Sequence, residues 1–446
     1  MTRVQWLTAT GWAVAMVWLF SVPRTSFDVL MAGYSLAFGL YLLLLRVPRP
    51  VPLHVGLGLA LVVRLAGLFF MPLWSDDFYR FIWDGMLSDH GINPMTFTPE
   101  EIMAGATAFK ADPALFAQLN HTAYHSVYPP IAQAVYWAGY AIAGTNLAGQ
   151  VLFMKSVILA ADAGVCLLLM RLLPKLGRDR REVLWYALSP LVIMELSGNL
   201  HFEGVMLLGL LAACMAGLKG RRGYAILAMA GSVLSKMVTL ILAPFLPNTM
   251  DGRRLIPGML AVTGITVAGF WIAFGGSLNW MVSVGLWFQK FEFNAGPYYL
   301  VRWVGYQVTG YNAIHRIGPA MGLLTLAGLC LIWIWYRFGQ RLTWMTAMTF
   351  ALTLYFMMGT TIHPWYLTTL LAVGLLAGLR YPLAWSYLVV LSYSHYDDGG
   401  FREHYGWIAL EYIVLLLVMA VEWWAFRKKK EPLPTAGAPK NSSLSM

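Results

Sequence analysis

Charge is scarce in this sequence. Asp, Glu, Lys and Arg make up 12% of its 446 residues, where a soluble domain carries about 25%. Cysteine is scarcer still. Cys166, Cys214 and Cys330 lie far apart, each in its own apolar run, which excludes a disulfide framework and any zinc-type spacing. There is no Gly-rich phosphate loop, no H-E-x-x-H and no G-x-S-x-G, so nothing points to a phosphate-loop NTPase, a zinc protease or a serine hydrolase. Strict apolar–polar alternation is missing too, which argues against a membrane β-barrel. What fills the sequence instead is apolar: 59% of residues, with a mean hydropathy of +0.62. These residues recur in continuous runs of membrane-crossing length, the pattern of an all-α polytopic membrane protein.

Apolar runs lie near 5–21, 28–45, 53–72, 150–170, 183–197, 203–218, 223–246, 256–274, 313–336, 342–358, 364–379, 381–395 and 405–426. The expectation is about 12–13 spans forming a single membrane domain over 1–430, with a disordered cytoplasmic tail over 431–446. Arg3 is followed by an apolar run without a small-residue cleavage site, which reads as a retained first span. The net charge of +10 would suit nucleic acid, but Lys and Arg gather in the short loops around Arg46, Arg171–Arg181, Lys219–Arg222, Arg253, Arg337, Arg380 and Arg427–Lys430. That is the positive-inside pattern, and it places both termini in the cytoplasm. Nucleic acid is not expected as a partner. Two segments resist the parity. The 131–143 run is short and reads as interfacial or re-entrant. Within 223–246, Lys236 splits the run into two half-helices, which are tolerated only where they line a cavity.

With this topology every histidine but His54 falls outside, as do most acidic residues. The outer loops read "SDDFYRFIWDGMLSDHGINP", "NHTAYHSVYPP", "ELSGNLHFEG", "TTIHPWY" and "SHYDDGGFREHYGW". The first, roughly 73–127, is too long to be a mere connector. A helix over 77–87 places Asp77, Arg80 and Asp84 on one face. Phe78, Phe81 and Ile82 then press into the membrane surface, as in an interfacial amphipathic helix. A solvated cap with an Asp–Arg pair is the plain alternative. Glu195 and Glu203 flank a turn that contains His201. A Lys near mid-span costs about 2.5–3.5 kcal/mol on insertion scales and normally faces a cavity or partner. Lys155 and Asp162 fall on one helix face and suit a structural pairing. Lys236 has no acid nearby in sequence and suits a lipid phosphate, with His363 and Arg302 as further candidates. Carboxylates near Asp77, cations such as Lys236 and an apolar route from the bilayer fit glycosyl transfer from a lipid-linked sugar.

The ordered set "SDDFYRFIWDG", "GINP", "YPPIAQ", "GNLHFEGVM" and "SKMVTLILAP" resembles the bacterial polyprenol-phosphate-mannose-dependent mannosyltransferases of the GT-C superfamily. The resemblance implies a bundle of about a dozen helices in the bacterial cytoplasmic membrane, with a long first periplasmic loop and an outward-facing active site. It implies a polyprenyl-phosphate sugar donor, a glycolipid or glycan acceptor and an inverting displacement. Asp77 matches the family's loop aspartate, with the adjacent Asp76 as the alternative base. His201 and Glu203 match a motif that often ends in Asp, so the acid here is longer. Lys236 is assigned to the donor phosphate, assisted by Arg80 or His363. No cofactor is implied, and no metal is expected to be obligatory, since side chains can neutralise a monophosphate leaving group. The competing reading is a secondary transporter, which should show matching motifs in two halves. None are visible here. A lipid phosphatase or acyltransferase is a third reading, weakened by the lack of a His/Ser nucleophile constellation.

Overall fold

The apolar runs become helices wherever Pro, Gly or a charged residue does not interrupt them. The structure is a computed structural model that describes residues 1–46, 50–250, 252–277, 279, 285, 290–339, 342–397 and 400–428. The tail expected to be disordered, 431–446, lies outside these. Of the described residues, 74% are helical. Its only sheet among the described residues is the two-residue ladder Tyr396–Asp397 with Gly400–Phe401.

In chain order the helices are α1 (Arg3–Leu19), α2 (Phe27–Arg46), α3 (Leu53–Gly67), α4 (Asp77–Asp89), α5 (Pro99–Met103), α6 (Pro113–Phe116), α7 (Pro130–Ala143) and α8 (Leu147–Lys175). There follow α9 (Leu184–Ala187), α10 (Pro190–Val192), α11 (Glu203–Leu218), α12 (Arg222–Ser235) and α13 (Leu255–Phe274). The last group is α14 (Gly296–Thr309), α15 (Ile314–Phe338), α16 (Trp344–Met358), α17 (Leu367–Ala377), α18 (Tyr381–Leu388) and α19 (Tyr405–Lys428). Among the described residues, five helices are long and apolar enough to cross a membrane, in the regions of α2, α8, α13, α15 and α19. A sixth crossing would be the pair Pro190–Gly198 and Glu203–Leu218, bent by 115° at a short break. The other expected spans are present as shorter or broken helices, so this is a multi-pass helical membrane protein.

Three local features shape the site. First, α4 lies against α7, not against the membrane surface as its apolar face suggested. Phe78, Phe81 and Ile82 are buried in protein. Phe81 stacks on Tyr136 with centroids 4.6 Å apart and meets Tyr128 and Phe202 edge-on. Gly85 permits the contact: a Cβ there would lie 2.4 Å from the Tyr136 carbonyl oxygen. Second, the helix before α11 widens into a π turn over Ile193–Gly198, a distortion often found at functional sites. Leu200 follows with φ of +66°, an uncommon and strained conformation for a non-Gly residue. Third, α12 stops at Ser235. Lys236 is extended, and a 3-10 segment continues over Met237–Phe245, so the chain does break at Lys236. α11 packs closely on α12 just before that break. A Cβ on Gly209 would sit 3.0 Å from Ser232, whose hydroxyl donates across to the Met206 carbonyl at 2.7 Å.

Buried charge inside the bundle is structural. Lys155 and Asp162 do not pair with each other. Lys155 donates to the Gly67 and Phe70 carbonyls at 2.9 and 2.6 Å, capping the end of α3. Asp162 accepts from Arg64 Nε at 2.5 Å and Tyr186 at 2.8 Å. Each finds a partner on another helix because an unpaired charge at that depth is costly.

Candidate functional site

Two cavities meet at the N-terminus of α4. The outer one, about 160 Å³, has a polar and aromatic wall that includes Arg24, Asp76, Arg80, His121, Tyr124 and His363. The inner one, about 360 Å³, holds His201, Glu203 and Lys236 at one end. It then runs between Met237, Val238 and Ile241 of the broken segment and Gly322, Thr325, Leu326 and Leu329 of α15. Leu326 is exposed on α15, a helix long and apolar enough to cross a membrane, so the inner cavity reaches an exposed apolar face of that helix. Asp77, Val127, Tyr128 and Trp365 line both cavities.

The two adjacent aspartates are in different situations. Asp76 is ion-paired with Arg24. Arg24 also donates to the Trp74 carbonyl at 3.2 Å and lies over the Tyr396 ring at 4.1 Å. The Asp77 carboxylate makes no hydrogen bond or ion pair among the described residues. Burial raises its pKa above the usual carboxylate value, while nearby His201 and Lys236 pull it down. Asp77 is also the first residue of α4, where the helix dipole favours the ionised form.

Lys236 pairs with Glu203 through Oε1 and lies 4.8 Å from the Tyr366 ring centre. His201 Nδ1 lies 3.1 Å from both the Glu195 carbonyl oxygen and its carboxylate. Glu195 is held in turn by Tyr393, which donates at 2.7 Å. The His201 ring stacks on Trp365 at 3.8 Å, and Trp365 stacks on His363 at 4.2 Å. His363 has Phe293 on its other face at 4.6 Å. Burial lowers the pKa of His201 to about 4 and that of His363 well below its ordinary value. Both rings are therefore neutral near pH 7, and His363 can offer a hydrogen bond but no charge.

Of the residues singled out in the sequence, Asp77, His201, Glu203 and Lys236 share the inner cavity, and Asp76, Arg80 and His363 line the outer one. Asp84 lines neither. It is fully buried and accepts from Arg80 Nε at 2.8 Å, from Gln133 at 2.8 Å and from Ser126. Arg80 also donates to the Tyr124 carbonyl at 3.1 Å. Asp84 and Arg80 thus tie the outer loop to α4 and α7. Arg302 is away from both cavities, paired with Glu292 and Glu403. No group of three or more His, Cys, Asp or Glu suited to a metal occurs among the described residues.

Arg24 and the wall formed by Tyr124, Phe291, Phe293 and Tyr396 were not anticipated. Arg24 carried a signal, as a basic residue in a loop assigned to the outside, against the positive-inside bias. The aromatics carried none beyond the ordinary interfacial belt. Phe293 reaches the site because its strand-like backbone pairs with Thr360 and Ile362, at 3.0 and 2.8 Å, nearly seventy residues on.

Residues 4–250 match the family model described as alpha-(1->6)-mannopyranosyltransferase, N-terminal domain. That stretch contains every motif on which the resemblance rested, from Asp76 to Lys236. The chain is also similar to alpha-(1->6)-mannopyranosyltransferase A of Mycobacterium tuberculosis, with 24% identity over 340 residues. The alignment covers 70% of this chain and 63% of the relative, so the chain spans less than two thirds of that protein's length. No solved structure matches.

Proposed function

Because this chain belongs to the alpha-(1->6)-mannopyranosyltransferase family, we propose that it moves a mannosyl residue from a polyprenyl-monophosphate donor to a hydroxyl of a glycolipid or glycan. The reaction takes place on the outer face of the bacterial cytoplasmic membrane. The observation that carries this reading is the position of Asp77, where an apolar cavity reaching an exposed apolar face of α15 meets a polar, aromatic one. The polyprenyl chain lies along α15 and the broken segment, with its phosphate at Lys236. The acceptor enters the outer cavity, whose aromatic faces and Arg24–Asp76 pair suit sugar rings and hydroxyls.

The acceptor hydroxyl gives its proton to the Asp77 carboxylate. Its oxygen attacks the anomeric carbon, and the bond from that carbon to the phosphate oxygen breaks, leaving its electron pair on the polyprenyl phosphate. Lys236 supplies positive charge where the leaving group's negative charge develops. Asp77 suits the base better than Asp76, which is occupied by Arg24. An α product formed by inversion requires a β-linked donor.

The test is transfer of label from polyprenyl-phosphate-mannose to membrane glycolipid by purified protein in lipid vesicles. Transfer by wild type is expected. Absence of transfer from that donor, with folded protein, would sink the proposal.

A further inference from the structure

His201 and Glu203 each carry one buried polar atom without a hydrogen-bond partner: Nε2 of the histidine and Oε2 of the glutamate. Both residues line the inner cavity, and both are nearly inaccessible, at 2% and 1% exposure. Buried polar atoms in native proteins are paired as a rule, so these two call for a partner of definite chemistry.

That chemistry can be read from their neighbours. His201 Nδ1 lies 3.1 Å from both the main-chain carbonyl and the carboxyl group of Glu195, and the carbonyl fixes its role. A carbonyl oxygen only accepts, so Nδ1 carries the proton. The ring is neutral, with one proton to place, and Nε2 therefore bears a lone pair. Glu203 Oε1 is taken by Lys236, and Oε2 is a carboxylate oxygen with nothing to donate. Two acceptors line one cavity with one cation. A phosphate, itself rich in acceptors, is repelled by this pair and drawn to Lys236. A sugar hydroxyl donates and is welcomed by it.

We infer that His201 and Glu203 form a hydroxyl-reading pair for the transferred sugar, directed at the hydroxyl on the carbon next to the anomeric centre. The inference rests on the proposed donor. One carboxylate links the two contacts: Oε1 holds the cation that takes the phosphate, and Oε2 faces the sugar. The hydroxyl that it meets is therefore the one closest to the phosphate, at C2. That hydroxyl distinguishes mannose from its C2 epimer glucose, so the pair would set sugar specificity. The π turn over Ile193–Gly198 and the strained Leu200 are the backbone devices that bring the ring under Trp365 and onto the Glu195 carbonyl. Strain of this kind persists where the surroundings over-determine it.

The experiment uses the full chain in vesicles with three donors: polyprenyl-phosphate-mannose and its 2-deoxy and 6-deoxy analogues. Transfer from the parent donor by wild type is measured first. Wild type should then lose about 100-fold or more in kcat/KM with the 2-deoxy donor, because a site built to bond a hydroxyl rejects the analogue lacking it. The 6-deoxy donor should lose less than about tenfold. His201→Phe keeps the stack on Trp365 and leaves only Glu203 to read the hydroxyl, so its preference for the parent over the 2-deoxy donor should shrink at least about tenfold. His201→Gln, which retains an acceptor oxygen, should recover part of the preference. Wild type indifferent to the 2-hydroxyl, or His201→Phe slowed equally with all three donors, would overturn the inference and leave the donor assignment standing. No transfer from the parent donor would overturn both. Should His201→Phe not fold, wild type and His201→Gln across the three donors still decide.

Discussion

Two adjacent carboxylates with one candidate role make Asp76 and Asp77 the sharpest question at the scale of single residues. Sequence could not separate them, because their difference comes from Arg24, fifty-two positions away. With Asp76 neutralised by that guanidinium and Asp77 left without a partner, substitution should have unequal effects. Asp77→Asn should lower kcat by about 100- to 10,000-fold, the range for removing a general base. Asp76→Asn should cost about tenfold or less, acting through Arg24 and the outer wall. The reverse order in the vesicle assay would move the base to Asp76. A pH profile gives a second check. Asp77 must be ionised to accept a proton, and burial raises its pKa above the usual carboxylate value. Activity should therefore be full above that raised pKa and fall as pH drops through it. The acid limb of kcat/KM should lie above the range of an exposed aspartate. An acid limb at the ordinary value would mean that Asp77 is not the titrating base.

At the scale of elements, the sequence was informative about breaks and poor about contacts. The break at Lys236 was legible because the lysine splits an apolar run whose full crossing would upset the charge parity of the loops. The turn between Glu195 and Glu203 was legible as polar sequence between two apolar runs, but its π geometry was not, since nothing in "IMELSG" marks an inserted residue. The face of α4 that carries Asp77, Arg80 and Asp84 followed from helical spacing. What its apolar face packs against did not, because a membrane surface and α7 make the same demand on Phe78 and Phe81. Gly85 records that choice. Gly85→Ala would push a methyl against the Tyr136 carbonyl, a backbone atom that cannot rotate away. The expected cost is about 1–3 kcal/mol, seen as a lower unfolding temperature in detergent. Reduced transfer should accompany it, since α4 carries Asp77. An unchanged unfolding temperature would show that the two helices are not in contact.

Across the whole molecule, the arrangement joins two solvents at one carboxylate. On the proposed reading, the apolar cavity would serve a donor that never leaves the bilayer, and the polar one an acceptor that reaches the site from outside. The helical membrane class was legible from composition and run length alone, and several of the polar motifs singled out do meet around two adjoining cavities. The partition into two cavities was not legible, because its walls come from α4, α7, α11, α15 and the segments around Phe293 and Trp365, which only the tertiary fold brings together. The partition makes a prediction that no single side chain does. If the inner cavity admits a polyprenyl chain past α15, a bulky residue at its lipid-side mouth should hinder long-chain donors and spare short ones. Leu326 lines that cavity and is 58% exposed on α15, so Leu326→Trp can be accommodated without disturbing the core. Its KM for a long-chain donor should rise about tenfold with kcat little changed, the signature of lost uniform binding. Its KM for a donor with only two or three isoprene units should stay near that of wild type. Equal effects on both donors would place the chain elsewhere, because a short chain ends before it reaches α15.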